Sequence, residues 1–309
     1  MNILCCGFFP ALQRTIETKS FRPGEVNRAV RVSVSASGKA TNTARVLSRL
    51  GADATMLSFA GGTNGDTVRR LLEPEDFNCR WVETKAETRI CQTLLCGETG
   101  SCTELVEESP PLSAAEWKSF VKTFAQIESG FDRIVFCGNL PPHAPQEIYG
   151  ELLSKTDGNK VLIDTSGPPL LAAFEHRPAL VKINAEELRR TIQIDDRQYG
   201  LDRQARELIA RGAGAAGITQ GKDAAMLVTP DHVFRYTIPQ VKALNPIGSG
   251  DAVSAGTVFA LTKGSTLPEA FAFGLACGTA NAMNRAPGHI EFDQLAELTP
   301  KISTTNEHE

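Results

Sequence analysis

The sequence predicts an α/β fold in which helices flank both faces of a doubly wound, mostly parallel central sheet, with a small β-sheet lid. Two observations support this prediction. Short apolar strands alternate with helical stretches of about ten to fifteen residues, as in parallel sheets. Two charged, strand-like patches, at about 11–34 and 80–106, fit neither the sheet nor its helices and are assigned to the lid. We therefore expect one domain over residues 1–309, ending in a disordered polar tail at 301–309.

The composition is that of a chain with an ample apolar core. Of its 309 residues, 41% are hydrophobic and 22% charged, and the formal net charge is -4. No apolar run reaches the roughly eighteen residues of a membrane span, and no basic start precedes an apolar stretch as in a signal peptide. We expect a cytoplasmic protein without a membrane partner. The eight cysteines lack C-x-x-C spacing and are interpreted as reduced core residues.

Basic residues are concentrated near the start of the chain. Eight lysines and arginines lie from Arg14 to Arg49, against two acidic residues, Glu17 and Glu25. They are not interleaved with aromatic residues and the whole chain is acidic, which argues against a nucleic-acid partner. The cluster indicates a small anionic ligand, and the alternative is a solvated basic face.

The predicted lid lies within the first 106 residues. Residues 2–6 form an apolar strand, after which the valines from Val26 to Val34 alternate with other residues at a period of two. Such a ribbon has one face to bury. Residues 80–106 show a similar pattern around turn signals, so we expect the two ribbons to form one accessory sheet.

The rest of the chain alternates strands and helices. A helix over 43–50 ends at Gly51, and another begins at a capping box of Ser113 and Glu116 and runs to Glu128. Further strands are predicted at 54–59, 133–137, 161–164, 180–183 and 217–219, and a further helix at 201–211.

Polar residues or glycine lie where three of these strands end, namely Asp164, Asn184, and Gln220 with Gly221. Doubly wound sheets bind ligands at the carboxyl edges of their strands, so the sequence predicts a site along that edge. A G-x-G-x-x-G match at 212–217 follows a helix and precedes a strand, the reverse of a dinucleotide-binding turn. It is interpreted as a helix-to-strand loop.

Residues 245–256, N-P-I-G-S-G-D-A-V-S-A-G, form the central motif of the chain. Small residues lead into Asp251, and the apolar residues behind it are spaced as on a buried helix face. A glycine-lined helix start leaves backbone N–H groups free to bind an anion beside the carboxylate. Taken alone, such a string is more often a capped helix behind a flexible turn.

Residues 37–44, S-G-K-A-T-N-T-A, repeat this arrangement near the other end of the chain. Small residues again precede a helix, and Lys39 and Asn42 are placed to hydrogen-bond a polyhydroxyl or phosphorylated ligand. A further glycine loop, G-G-T-N-G-D, follows a strand at 61–66.

Together these motifs give the chain a resemblance, over nearly its whole length, to the ribokinase-like, phosphofructokinase-B family of carbohydrate kinases. Shorter matches are E-T-R at 87–89, G-N-L-P-P at 138–142, D-T-S-G at 164–167, N-A-E-E at 184–187 and T-Q-G at 219–221. The L-P-P and E-T-R elements, with residues 26–28, look most like the 1-phosphofructokinase and tagatose-6-phosphate kinase branch.

The resemblance implies a magnesium-dependent transfer of the ATP γ-phosphoryl group to a sugar hydroxyl. Asp251 would be the base that accepts the hydroxyl proton, while the amides of Gly248, Ser249 and Gly250 stabilise charge on the transferring group. Phosphoryl transfer depends on alignment and charge stabilisation, which an anion hole beside one carboxylate supplies.

The resemblance also assigns the nucleotide and Mg²⁺ contacts. Asn184 and Glu187 match the family's N-x-x-E element, which orients Mg²⁺ and phosphates, with Glu187 acting through water. Thr219, Gly221 and Lys222 match its nucleotide loop. Without the other motifs, Asn184 and Glu187 would be interpreted as an ordinary N-cap and a solvated carboxylate.

Acceptor recognition is implied for residues of the earlier motifs, partly under the lid: Gln13, Arg28, Gly38, Lys39, Asn42, Arg89 and Asn139. The cations among them suit a phosphate on the substrate, which would account for the basic cluster. Lid ribbons often pair between subunits in this family, so we expect a homodimer through the lid.

The chain departs from its relatives around the acceptor. The branch usually has N-P-x-x-D after the first strand, and its Asp binds sugar hydroxyls, whereas F-P-A-L-Q here ends in Gln13. Gln13 is neutral and offers one acceptor oxygen where a carboxylate has two. Phe9, Asn139 and His143 are also unusual, and none of these changes touches the nucleotide or transfer motifs. We infer an altered sugar rather than a lost activity.

We therefore expect a carbohydrate kinase acting on a ketohexose phosphate of the fructose-1-phosphate or tagatose-6-phosphate type. One alternative is a kinase for an unphosphorylated sugar or a nucleoside. Another is a non-catalytic sensor of sugar phosphates or nucleotides that kept the fold. Gln13 motivates the sensor hypothesis, and the presence of Asp251, Asn184 and Glu187 argues against it.

Overall fold

The structure, a computed structural model, describes residues 1–141, 143–193 and 200–308. Its strands are β1 (Asn2–Cys6), β2 (Ala11–Thr18), β3 (Ala29–Ser37), β4 (Asp53–Ala60), β5 (Asn78–Glu83), β6 (Arg89–Cys96), β7 (Cys102–Val106), β8 (Arg133–Cys137), β9 (Val161–Asp164), β10 (Leu180–Asn184), β11 (Ala216–Thr219), β12 (Ala225–Val228), β13 (His232–Thr237) and β14 (Ser303–His308). Its α-helices are α1 (Lys39–Arg49), α2 (Gly62–Leu72), α3 (Ala114–Ile127), α4 (Ile148–Leu153), α5 (Pro168–Ala173), α6 (Ala185–Ile192), α7 (Leu201–Arg211), α8 (Ser249–Thr262), α9 (Leu267–Ala282) and α10 (Phe292–Leu298).

A ten-stranded sheet forms the centre of the described structure, in the order β14-β13-β12-β11-β10-β9-β8-β1-β4-β5. The strands from β11 to β5 in this order run parallel, while β12, β13 and β14 add antiparallel pairs at one edge. Parallel strands joined by helices confirm the predicted doubly wound architecture.

Helices cover both faces of the sheet because its inner strands are apolar on both sides. In β1, Ile3 and Cys5 pack in the core shared with α1, α8 and α9, while Leu4 and Cys6 pack in the opposite core with α3 to α7. Six of the eight cysteines are buried, as expected for core residues. In the described part of the chain, no helix combines the length and apolar character needed to cross a bilayer.

A second sheet, in the order β3-β2-β6-β7, is the lid. Its first segment extends to Ser37, and its second begins at Arg89 rather than at residue 80. Residues 80–83 instead belong to β5, which pairs with β4 in the main sheet. The physical reason is that Trp81 and Val82 pack into the cores on the two faces of that sheet, a pattern that the charged neighbours obscure.

The start of one helix differs from the sequence expectation, and one predicted loop is confirmed. Helix α1 begins at Lys39 rather than at Thr43, because Gly38, with φ of 125°, turns the chain directly from β3 into the helix. A methyl group at Gly38 would also lie 3.0 Å from Pro10 Cα. The loop at 212–217 is confirmed as a helix-to-strand connection, since α7 ends at Arg211 and β11 begins at Ala216.

The expected disordered tail is instead a strand. β14 pairs antiparallel with β13, from His232 opposite His308 to Thr237 opposite Ser303. Edge pairing uses backbone hydrogen bonds and requires little side-chain burial, so a polar sequence can form this strand. Ile302, just before it, is 9% exposed and packs in the core.

Candidate active site

Two cavities lie along the carboxyl edge of the parallel strands and bring together most of the predicted site residues. One, of about 670 Å³, is lined by the predicted nucleotide residues Asn184, Thr219, Gly221 and Lys222 and by Ser249 and Gly250. The other, of about 340 Å³, is lined by the predicted acceptor residues Gly38, Lys39, Arg89 and Asn139. None of the predicted site residues lines a larger cavity, of about 820 Å³, between the lid and residues 242–244.

The start of α8 is built around Gly248. This residue is the N-cap and adopts left-handed backbone angles, with φ of 81°. An added methyl group would lie 3.0 Å from Gly288 N and 3.4 Å from Asn42 Nδ2, so the turn requires glycine. The amide of Ser249 donates to Pro246 O across 3.2 Å. Of the three amides predicted to stabilise charge, that of Ser249 is therefore already engaged within the turn.

Asp251 lies in the first turn of α8 and is 6% exposed. Its Oδ2 accepts a hydrogen bond from Asn42 Nδ2 across 2.7 Å. Burial raises the pKa of Asp251 to about 6, with a further increase from the nearby charge of Asp164, while Lys39 and the Asn42 hydrogen bond limit the rise. The carboxylate is thus poised to take a proton near neutral pH.

A buried charge cluster lies beside Asp251 and was not predicted as a unit. Asp164 Oδ1 accepts from Lys39 Nζ at 3.0 Å, and its Oδ2 accepts from Lys182 Nζ at 2.9 Å and from Ser254 Oγ at 3.2 Å. Burial opposes ionisation of Asp164, but the two ammonium groups outweigh it and lower its pKa to about 2. Burial also opposes ionisation of Lys39 and therefore lowers its pKa. The negative charges of Asp164, Glu187 and Asp251 outweigh burial and raise that pKa above its ordinary value.

Lys182 is the site residue that the sequence reasoning missed. It lies in β10, is 5% exposed, and lines the larger of the two site cavities. A methyl group added at Gly250 would lie 2.7 Å from Lys182 Nζ, so the ammonium group contacts the start of α8. A lysine inside an apolar strand is the signal that could have identified it, because a buried charge requires a partner. That partner is Asp164, which the sequence places at a strand end and in the D-T-S-G match but does not pair with a lysine.

Asn184 and Glu187 form a capping box at the start of α6. Glu187 N donates to Asn184 Oδ1 at 2.8 Å, and Asn184 N donates to Glu187 Oε2 at 3.1 Å. Glu187 Oε1 also accepts from Asn139 Nδ2 at 3.1 Å, which connects it to a residue of the acceptor cavity. Each carboxylate oxygen retains a lone pair for a water molecule. Among the described residues, no group of three or more His, Cys, Asp or Glu could bind a metal directly.

The remaining predicted acceptor residues are only partly assembled. Gln13 is 2% exposed, donates from Nε2 to Thr93 Oγ1 within the lid at 2.8 Å, and does not line the acceptor cavity. Arg28 precedes β3, whose nine residues span about 30 Å, so the structure does not bring it to Lys39 within one chain. Arg89 does line the cavity, and its buried Nε has no hydrogen-bond partner among the described residues.

Comparison with known proteins identifies the family of the chain. The family model described as pfkB family carbohydrate kinase matches residues 8–290. The chain is 30% identical over 304 residues to a 1-phosphofructokinase of Bacillus subtilis, covering 96% of this chain and 97% of that protein. It is 31% identical over 297 residues to a 1-phosphofructokinase of Borreliella burgdorferi, covering 95% of each.

Solved structures show the same fold. A possible 1-phosphofructokinase of Thermotoga maritima matches with a TM-score of 0.90 at 20% identity, covering 99% of this chain and 100% of that chain. Phosphofructokinase-2 of Escherichia coli, in complex with substrates and products, matches with a TM-score of 0.87 at 26% identity, covering 97% and 98%. Since the family model matches most of the chain, the chain belongs to the pfkB family of carbohydrate kinases.

Proposed function

We propose that this kinase transfers the γ-phosphoryl group of ATP to a hydroxyl of a ketohexose phosphate, of the fructose-1-phosphate type. The observation that carries the proposal is the buried Asp251, bonded to Asn42. Asn42 belongs to α1, whose first residue lines the acceptor cavity, and Asp251 belongs to α8, whose first residues line the nucleotide cavity. The names of the curated relatives support the choice of acceptor.

Asp251 supplies the proton acceptor in this reaction. As the acceptor oxygen bonds to the γ-phosphorus, its proton passes to the Asp251 carboxylate. The bond between the γ-phosphorus and the bridging oxygen breaks, and its electron pair leaves with ADP. The raised pKa of Asp251 makes it a better base than an exposed aspartate while leaving it ionised at neutral pH.

The start of α8 and Lys182 stabilise charge on the transferring group. The helix dipole and the first-turn amides favour an anion at this end, and the Ser249 hydroxyl adds a further polar group. Lys182 Nζ lies against Gly250, and Asp164 fixes its position. Charges fixed before the reaction lower its barrier because they need not reorganise during it.

The geometry around Glu187 suits Mg²⁺ bound through water. The capping box leaves both carboxylate oxygens able to accept from the hydration shell of the ion, and Asn184 lies at the nucleotide cavity. Bound with ATP, Mg²⁺ would neutralise phosphate charge during transfer. The residues of the chain would orient the ion and its waters rather than ligate it directly.

Arg89 is the cation best placed to bind the substrate phosphate. Lys39 is partly committed to Asp164, whereas Arg89 has a buried Nε without a partner and only long hydrogen bonds, of 3.4 Å, to Phe9 O and Glu107 O. A guanidinium group bonds phosphate through two parallel donors, which favours a phosphorylated acceptor. Gln13 is turned to Thr93, so the sugar hydroxyls would be bound by other residues than in relatives with Asp at that position.

The lid supports a homodimer. The lid face opposite Gln13 and Thr15 exposes the apolar side chains of Val30, Val32, Val34 and Leu105, which are between 46% and 66% exposed. Several exposed apolar side chains on one sheet face are typical of a protein interface. A second copy of the lid would cover it with the same residues.

ATP turnover with a panel of acceptors tests the proposed function. We expect turnover with fructose 1-phosphate or another ketohexose phosphate, and much weaker turnover with unphosphorylated fructose or nucleosides. Turnover with the unphosphorylated acceptors alone would overturn the choice of substrate. Calorimetric binding of sugar phosphates without turnover of any acceptor would instead favour the sensor.

A further inference from the structure

Asn281, near the end of α9, is completely buried, and in the part of the chain that the structure describes its side chain bonds only to segments around the proposed transfer site. Its Nδ2 donates to Ile247 O at 2.9 Å and to Ser249 Oγ at 3.0 Å. Its Oδ1 accepts from Gly288 N at 2.8 Å and from His289 N at 3.2 Å. Two donors and two acceptor positions are all that an asparagine amide offers, so its bonding capacity is fully used.

Glycines let α9 approach the start of α8 closely enough for this reach. A methyl group added at Gly278 would lie 3.0 Å from Ser249 O and 2.6 Å from Val253 Cγ2. One added at Gly256 would lie 2.6 Å from Cys277 Sγ. The two helices are therefore in backbone contact, and Asn281, about one turn beyond Gly278, faces the turn that precedes α8.

The first pair of bonds orients Ser249. Because Asn281 donates to Ser249 Oγ, the proton of that hydroxyl must point to another acceptor. Ser249 lines the nucleotide cavity, so its free proton can point toward a phosphate bound there. The bond to Ile247 O fixes the backbone of the same turn one residue before Gly248.

The second pair of bonds supports the base. Gly288 has φ of 70°, and a methyl group there would lie 2.8 Å from Asn42 Cα, so this segment packs directly against Asn42. Asn42 in turn donates to Asp251. Asn281 Oδ1, by accepting from two successive amides, fixes the segment that packs behind Asn42.

We propose that Asn281 is a positioning residue for phosphoryl transfer, which orients the Ser249 hydroxyl toward the phosphate and supports the placement of Asp251 through Gly288 and Asn42. It contacts neither substrate itself. The inference rests on the proposed function, because it assigns Ser249 and Asp251 their roles in that reaction.

The first test compares Asn281→Ala and Asn281→Asp with Asn284→Ala. Asn284 lies just beyond the same helix, and within the described ranges its side chain bonds only to Ala280 O and Gln294 Oε1, so its replacement by alanine is a matched control. We expect kcat to fall about 10- to 100-fold in both Asn281 variants, as for the loss of one or two well-placed hydrogen bonds. The KM values for ATP and acceptor should change less than about threefold, because ground-state binding is not the target.

A double-mutant cycle with Ser249→Ala tests the route of the effect. Asn281→Asp loses both donors and offers the Ser249 hydroxyl an acceptor inside the protein, which would turn its proton away from the phosphate. The fall in kcat caused by Asn281→Asp should be several-fold smaller in the Ser249→Ala background than in the wild type, since the two positions share one interaction. Fully additive losses would overturn the proposed orientation of Ser249.

Amide hydrogen exchange of the unliganded protein provides a readout that does not need activity. Exchange over residues 245–251 should be faster in Asn281→Ala than in wild type and unchanged in Asn284→Ala. Exchange and kcat equal to those of the control would overturn the inference. If the wild-type protein turns over no acceptor, the proposed function fails, and the exchange rates alone decide whether Asn281 orders the turn.

Discussion

Asn42 Nδ2 lies 2.7 Å from Asp251 Oδ2 and joins two residues that are 209 positions apart in the chain. Each residue belongs to one of the two glycine motifs, and their helices, α1 and α8, lie in the same core. The hydrogen bond therefore turns two separate sequence motifs into one site. The charges around it determine how the protein should respond to substitution and to pH.

Replacing Asp251 by asparagine should lower kcat by at least about 100-fold, because it removes the general base and keeps an oxygen for Asn42 to bond. In the wild type, kcat/KM should rise with pH up to about 6, where Asp251 loses its proton. Steady-state kinetics across this range measures both effects. An unchanged kcat in Asp251→Asn would rule out the base assignment.

The same substitution should stabilise the folded protein. Burial raises the pKa of Asp251 from 3.8 to about 6, so the folded state binds the proton more tightly than the unfolded state. The stability that the Asp251 carboxyl group contributes to the wild type is fully present below about pH 4, and it is lost as the pH rises through about 6. Asp251→Asn should therefore be more stable by about 1 to 3 kcal/mol at pH 8 and not at pH 4. Urea unfolding at the two values measures this, and an equal gain at both would contradict it.

Asp164→Asn should have the opposite effect on stability. It leaves the buried Lys182 without its ion-pair partner and removes one of the carboxylates around Lys39, which costs about 3 to 5 kcal/mol. The free energy of unfolding from urea titration at pH 7 gives the value. Asp293→Asn, at an exposed position of α10, is the control and should change stability by less than about 0.5 kcal/mol. A similar small change in Asp164→Asn would show that the cluster does not stabilise the fold.

Arg89→Ala should raise the KM for a phosphorylated acceptor about tenfold or more while changing the KM for ATP little. The physical reason is the loss of charge-assisted hydrogen bonds to the substrate phosphate. Arg80→Ala, at an exposed arginine of β5, serves as the control. Equal KM values for the acceptor in the two variants would place the phosphate elsewhere.

Val32→Glu should disrupt the proposed dimer. The substitution adds a charge to the exposed apolar face of the lid, where pairing would have to desolvate it. Light scattering should show a mass near 33.3 kDa for this variant and twice that value for the wild type. Phe292→Glu, at an apolar side chain of α10 that is 57% exposed, should remain dimeric. A wild-type mass of 33.3 kDa would exclude the dimer.

The sequence predicted the features that depend on local pattern. Apolar runs such as 180–183 and the capping box at Ser113 and Glu116 are visible over a few residues, and both are present in the structure. The strand β14 was missed because its partner, β13, supplies backbone hydrogen bonds that leave no apolar signature. Its stability depends on a neighbouring strand whose paired residues lie 66 to 76 positions earlier in the chain.

The sequence predicted the candidate site to a similar extent as the fold. The glycine motifs identified the residues around Asp251, but the pairing of Lys39 with Asp164 joins positions 125 apart and has no local pattern. The bond from Gln13 to Thr93 likewise depends on the parallel register of β2 and β6. The topology of the fold determines which polar side chains meet in the interior, and local sequence patterns do not show these contacts directly.

The position of β14 also has a consequence for synthesis on the ribosome. β14 borders β13, whose other neighbour, β12, forms with β11 the hairpin that carries Thr219 and Gly221. All other strands of that sheet are translated before β14, so the edge behind the nucleotide loop stays unpaired until residues 303–308 have emerged. An unpaired strand edge can pair with other chains. Until residues 303–308 emerge, the growing polypeptide must therefore avoid such pairing at β13.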